Sequence, residues 1–185
     1  MEANNNKSGP EKISDLITQL ANNDGSVREK ARLILIDIGE EAVPSLIEAL
    51  ASKQQQVRWE AAKALVSIAD PIAIPTLIKA LQDEIFDIRW LAAEALIAIG
   101  TESIEPLLRA VVDQTNESYL REGAHHVIAY IIRNDSKASE LNEILKPVKK
   151  ALDSTAPRVV APGAALVALE KLKQFRNKQS NGETP

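Results

Sequence analysis

Apolar residues recur three and four positions apart along most of the chain, the spacing that gathers them on one face of an α-helix, and that pattern itself repeats. The stretch V-R-W-E-A-A-K-A-L-V-S-I at Val57 has near copies at Val27 (V-R-E-K-A-R-L-I-L-I-D-I), Ile88 (I-R-W-L-A-A-E-A-L-I-A-I) and Leu120 (L-R-E-G-A-H-H-V-I-A-Y-I). A worn copy, P-R-V-V-A-P-G-A-A-L-V-A-L, begins at Pro157. Arg28, Arg58, Arg89 and Arg121 step by 30, 31 and 32 residues. Such a period, with two helices per unit, predicts a solenoid in which each unit buries its apolar face only against its neighbours.

A second, Pro-led segment alternates with the Arg-led one. It runs through Val43-Pro44-Ser45-Leu46, Ile74-Pro75-Thr76-Leu77 and Glu105-Pro106-Leu107, with proline in the first helical turn, where its missing N–H costs little. A first helix is expected over 11–22, then a turn at Asn23-Asp24-Gly25. The second helix, about 27–38, reads as capped by Ser26 with Glu29 closing the capping box, and Gly39 supplies the left-handed end. Asp87 is placed likewise as the cap of the helix at Ile88. Short polar loops make neighbouring helices antiparallel.

The repeat loosens after Tyr130. Arg133 to Ser136 forms a polar break, and a helix over 137–153 carries Pro147 in its interior, where a kink is expected. In the last unit Arg158 matches Arg58, but Leu166 and Leu169 match Leu65 and Ile68 one residue late. An inserted residue near Pro162-Gly163 is therefore expected to bend or restart the helix. Residues 1–10 are expected as a disordered lead-in, 11–175 as one array and 176–185 as a polar tail.

Composition narrows the function. Only 3% of residues are aromatic, so the core is Leu, Ile, Val and Ala. A net charge of -4 disfavours nucleic acid as a partner, since phosphate binding needs a basic surface. No cysteine is available as a nucleophile, disulfide or zinc ligand. The start of the chain has no apolar signal core and no run has the roughly 18 apolar residues of a membrane span. A cytoplasmic location follows as the expectation.

The Pro-led helix ending L-I-x-A-L, followed by V-R-x-x-A-A-x-A-L-x-x-I-G, resembles the HEAT repeat, in the short version named after the phycobilisome lyases, over roughly residues 11–175. The resemblance implies an all-α, right-handed α-solenoid of about five helix pairs. It also implies either a protein-binding scaffold or a phycobilin lyase-like factor that handles a bilin on a phycobiliprotein. Similar repeats in deoxyhypusine hydroxylase carry His-Glu iron ligands, but here His125 and His126 are adjacent and neither is followed by Glu, so that site is absent. HEAT-like DNA glycosylases have a basic surface that an acidic chain does not match.

Projected at about 100° per residue, the Arg-led helix turns Val57, Ala61, Leu65, Ile68 and their copies inward. The position after the Arg points away from them and reads Glu29, Trp59, Trp90, Glu122. Both tryptophans stand in this column, in consecutive repeats about 10 Å apart by ordinary helix spacing. Leu91, Lys63 and Glu94 fall around them, with His126 and Tyr130 one repeat further on. Two roles fit Trp59 and Trp90: packing residues over the groove between helices, or binding anchors of the kind at which Trp is enriched. The Arg column is expected to bond loop carbonyls and carboxylates of its own and the preceding unit, and Glu60 and Glu94 to be solvated. No Ser/His/Asp set, phosphate loop or metal spacing is visible. Neither catalytic residues nor a cofactor is expected. The expected function is a non-enzymatic protein–protein interaction module using the concave face lined by the Arg-led helices.

Overall fold

The computed structural model describes residues 9–114, 116–134 and 139–180, and every regular element among them is helical. The helices are α1 Gly9–Gln19, α2 Gly25–Ile38, α3 Val43–Ala49, α4 Gln55–Ile68, α5 Ile74–Ala80, α6 Phe86–Ile99, α7 Ile104–Asp113, α8 Ser118–Asn134, α9 Ser139–Leu152 and α10 Pro157–Ser180. They alternate as the repeat demands, with α3, α5 and α7 led by proline and α2, α4, α6 and α8 by arginine. A 3-10 turn precedes each of α3, α5 and α7. Residues 1–8 of the lead-in expected over 1–10, residues 135–136 of the break expected over 133–136 and residues 181–185 of the expected tail lie outside the described residues, whereas Gly9 and Pro10 already belong to α1.

The chain divides into two compact units, Met1–Ala98 and Ile99–Pro185. In the first, α1 packs on α2 and α3, and α4 packs on both α2 and α3, so Arg-led helices α2 and α4 lie side by side. Small alanines permit that approach. Ala31, Ala61 and Ala92, one per repeat, are fully buried beside Leu35, Leu65 and Leu96. Burial extends to Ala62, Ala64, Ala93 and Ala95, so these helices are covered over a wider arc than the projection gave. Ile38, Ile68 and Ile99, expected inside, are only half-buried. In the second unit α8 packs on α7 and α9, and α10 lies on α9 and folds back on α7.

The ends of the helices correct two expectations. Asp24, not Ser26, caps α2: its carboxylate accepts from the Ser26 N–H at 2.9 Å and from the Ser26 hydroxyl. Asp87 sits inside the first turn of α6 and is not its cap, and ahead of that helix Asp83 closes a turn by accepting from the Ile85 N–H at 2.9 Å. A carboxylate two residues ahead of a free N–H reaches it through a tight local turn, and the helix then starts earlier than apolar periodicity suggests. At the C-termini Gly39 (φ 72°) and Gly100 (φ 83°) take the positive φ that favours glycine. Ala69 adopts φ 54° at the equivalent place.

The last helix also departs from expectation. α10 is continuous through Pro162 and Gly163 and does not restart. Its buried side is Ala161, Ala165, Ala168 and Leu172, so register runs unbroken from Arg158 and Leu166 is exposed. A continuous helix has no slot for an extra residue, because one insertion rotates everything after it by about 100°. The helix keeps its period and places the buried Ala165 and Ala168 where an earlier repeat has Leu65 and the half-buried Ile68. It also runs to Ser180, through residues expected as tail.

Candidate functional site

The Arg column ties loops to helices. Arg28 donates to the carbonyls of Asn22 (2.7 Å) and Asn23 (3.1 Å), Arg58 to those of Ser52 (3.0 Å) and Lys53 (3.3 Å), and Arg89 to those of Asp83 (2.8 Å) and Glu84 (3.2 Å). Each thereby satisfies carbonyls of the loop that leads into its own helix. The carboxylate partners come from the following unit, not the preceding one. Arg28 Nε meets Glu60 at 3.2 Å, and Arg58 meets Asp83 at 2.7 and 3.1 Å. The Asp83 hydrogen bond raises the Arg58 pKa further above the usual guanidinium value. This column is structural.

Glu60, expected in solvent, is 2% exposed. It accepts from Arg28, from Gln56 (3.2 Å) and from the buried Arg32. Arg32 stands where the next repeats have Ala62 and Ala93, and the misplacement has that cause: a basic residue one helix away, four positions after Arg28, supplies a counter-charge that one helix's projection cannot reveal.

Trp59 is half-buried on α4, with Lys63 Nζ 4.6 Å and the Arg32 guanidinium 5.9 Å from its ring centroid. Two cations against one indole make a cation–π cluster. Lys63 is exposed, one turn along the same helix. On α6, Trp90 is 46% exposed and pairs with Phe86, itself 63% exposed, at 6.4 Å between centroids and a 31° tilt. The Arg89 guanidinium lies 5.6 Å from the Phe86 ring. Leu91 and Glu94 are half-buried on α6. The structure thus joins Lys63 to Trp59 and adds Phe86 to Trp90. Phe86 was missed, although it precedes Trp90 by four residues and so shares its helical face.

In the second unit His126 is half-buried and Tyr130 exposed on α8, with the Arg133 guanidinium 5.8 Å from the tyrosine ring. His125 turns elsewhere, its Nε2 2.7 Å from Asp153 Oδ1. The Asp153 carboxyl is held below its ordinary range, first by the Lys149 hydrogen bond (2.7 Å) and then by His125. Among the described residues no three His, Cys, Asp or Glu side chains gather to hold a metal ion, and no helix is long and apolar enough to cross a membrane.

The alternation of Pro-led and Arg-led helices now has its counterpart in known proteins, because HEAT repeats match residues 13–84 and again 43–129. This chain belongs to the HEAT repeat family. In fold this HEAT repeat protein is similar to a chain of the complex of CpcE and CpcF of phycocyanin lyase from Nostoc sp. PCC7120. The two are 24% identical with a TM-score of 0.55, over 86% of this chain and 98% of that one. The resemblance to phycobilisome lyase repeats therefore holds for the fold. An engineered protein of known crystal structure is similar at 22% identity and a TM-score of 0.40, over 88% of this chain and 79% of its own. No curated protein matches.

Proposed function

We propose that this HEAT repeat protein is a non-enzymatic, cytoplasmic interaction module that binds another protein on the face of its Arg-led helices. Trp90 and Trp59 are the anchors, Leu91 widens the apolar contact, and Lys63 and Glu94 are rim charges of opposite sign. In the second unit, His126 and Tyr130 on α8 are partner contacts of that unit's own. The observation that carries this reading is the exposed Phe86–Trp90 pair. In a chain with so few aromatics, two large rings left together in water lose a hydrophobic gain that only a docked partner recovers. Half-buried Trp59 is held by Lys63 and Arg32 in a fixed pose, which lowers the entropy lost on binding. A photo-crosslinking residue at position 90 is expected to capture a discrete protein partner from its own cell extract. The same residue at Glu48, exposed on α3, is expected to capture none. Equal capture at both sites would refute the assigned face.

A second reading is favoured by the likeness to a chain of phycocyanin lyase that spans nearly all of that chain. Here the partner is a phycobiliprotein, and the indole of Trp90 stacks on its bilin. The discriminating measurement is visible absorbance after the purified chain is mixed with a bilin. A bound, shifted band that Trp90→Ala abolishes favours this reading; no band leaves protein docking alone.

A further inference from the structure

Because α10 keeps its helical register, it turns an apolar face to water. Val159 is 72% exposed, Leu166 52%, and Val160 and Val167 lie exposed beside them. These four are disposed symmetrically about Gly163: Val160 and Leu166 stand three residues to either side of it, Val159 and Val167 four. Offsets of three and four are those that share a helical face. Gly163 is exposed at the centre, and a Cβ built there would meet nothing within 4 Å. Glycine weakens a helix interior, and nothing inside this chain requires it at this position.

We infer that this face binds a second copy of the chain, α10 packing antiparallel on α10 and crossing at Gly163. In a two-fold interface each residue faces the one equally far on the other side of the crossing point. Val159 therefore meets Val167 of the second copy, Val160 meets Leu166 of the second copy, and the two glycines meet where the missing side chains let the backbones approach. The same register carries Glu170 to Ala156 of the second copy. Ala156 adjoins the first turn of α10, where the positive end of the helix dipole attracts a carboxylate. This charge match, made twice by the two-fold axis, selects a second copy as the occupant of the apolar face. The inference is independent of the role given to Trp59 and Trp90.

The chain has no cysteine, so Gly163→Cys carries a single thiol. Under mild oxidation it is expected to form a disulfide-linked dimer. Lys171→Cys, whose thiols this packing holds about 24 Å apart along the helix axis, is expected to stay monomeric. Sedimentation equilibrium on the unaltered chain supplies a second readout. It is expected to show a dimer whose dissociation midpoint rises about tenfold or more in Leu166→Glu, with unchanged helical circular dichroism. A monomeric unaltered chain, a dimer indifferent to Leu166→Glu, or equally fast crosslinking of the two cysteine variants would overturn the proposal.

Discussion

Arg32 on α2 donates to the carboxylate of Glu60 on α4, and both side chains lie almost out of reach of water. One repeat later the corresponding positions are Ala62 and Leu91. The next repeat thus carries apolar residues where this one carries a charged pair. Removing Glu60 alone leaves the buried Arg32 only its longer contact to the exposed Glu29 (3.4 Å), and breaking a buried ion pair from one side costs about 3 to 5 kcal/mol. Glu60→Ala is expected to lose that much stability in a denaturant titration. Arg32→Ala combined with Glu60→Leu copies the next repeat and is expected to be neutral or to gain up to about 4 kcal/mol. A double variant as unstable as Glu60→Ala would show that the pair does more than fill the seam.

Leu65 and Lys63 separate core from surface on one helix. Leu65 is buried at the α4 seam and Lys63 is exposed against Trp59. Leu65→Ala is expected to cost about 2 to 5 kcal/mol. Lys63→Ala loses only an exposed cation–π contact, about 0.5 to 1 kcal/mol. Thermal melts of both variants check the difference, and equal shifts would mean that the inward face is misassigned.

Acid sensitivity should report on the second unit. Glu105 on α7 accepts from Arg109 (2.7 Å) and from Arg176 on α10. These contacts, the Arg109 hydrogen bond foremost, hold its carboxyl below the ordinary 4.5. A depressed carboxylate stabilises the fold fully above its unfolded pKa, and that contribution disappears as pH falls through the folded value. Glu105→Gln is expected to be less stable than the unaltered chain at neutral pH, with the gap closing below about pH 4. A gap that stays constant between pH 7 and pH 3 would contradict this assignment.

Most of the fold was legible because it is written several times over. The recurring Arg, Ala and Leu positions place α2, α4, α6 and α8 to within a few residues, since periodicity is a property of one helix at a time. What escaped depends on a second element. Glu60 looks like a surface charge until α2 brings Arg32 to it, and Leu166 looks like a core residue until the continuity of α10 turns it outward. Ser26 and Asp87 were misread as caps for a local reason, because the helices already begin at Gly25 and Phe86, ahead of the first apolar residue of the period. In the candidate site, Trp59 and Trp90 were found from their shared column. Phe86 was overlooked because it lies just before the repeat motif begins, although its spacing from Trp90 was there to be read.

The central claim is that Trp90 stands ready in solvent for a protein partner. In Trp59→Phe the only indole left is Trp90, so the fluorescence of that variant tests the claim most directly. The free chain should emit at long wavelength and be readily quenched by acrylamide. The partner captured through position 90 should shift the emission to the blue and shield it from the quencher. Emission already blue and unquenchable in the free chain would show Trp90 to be a packing residue and contradict the claim.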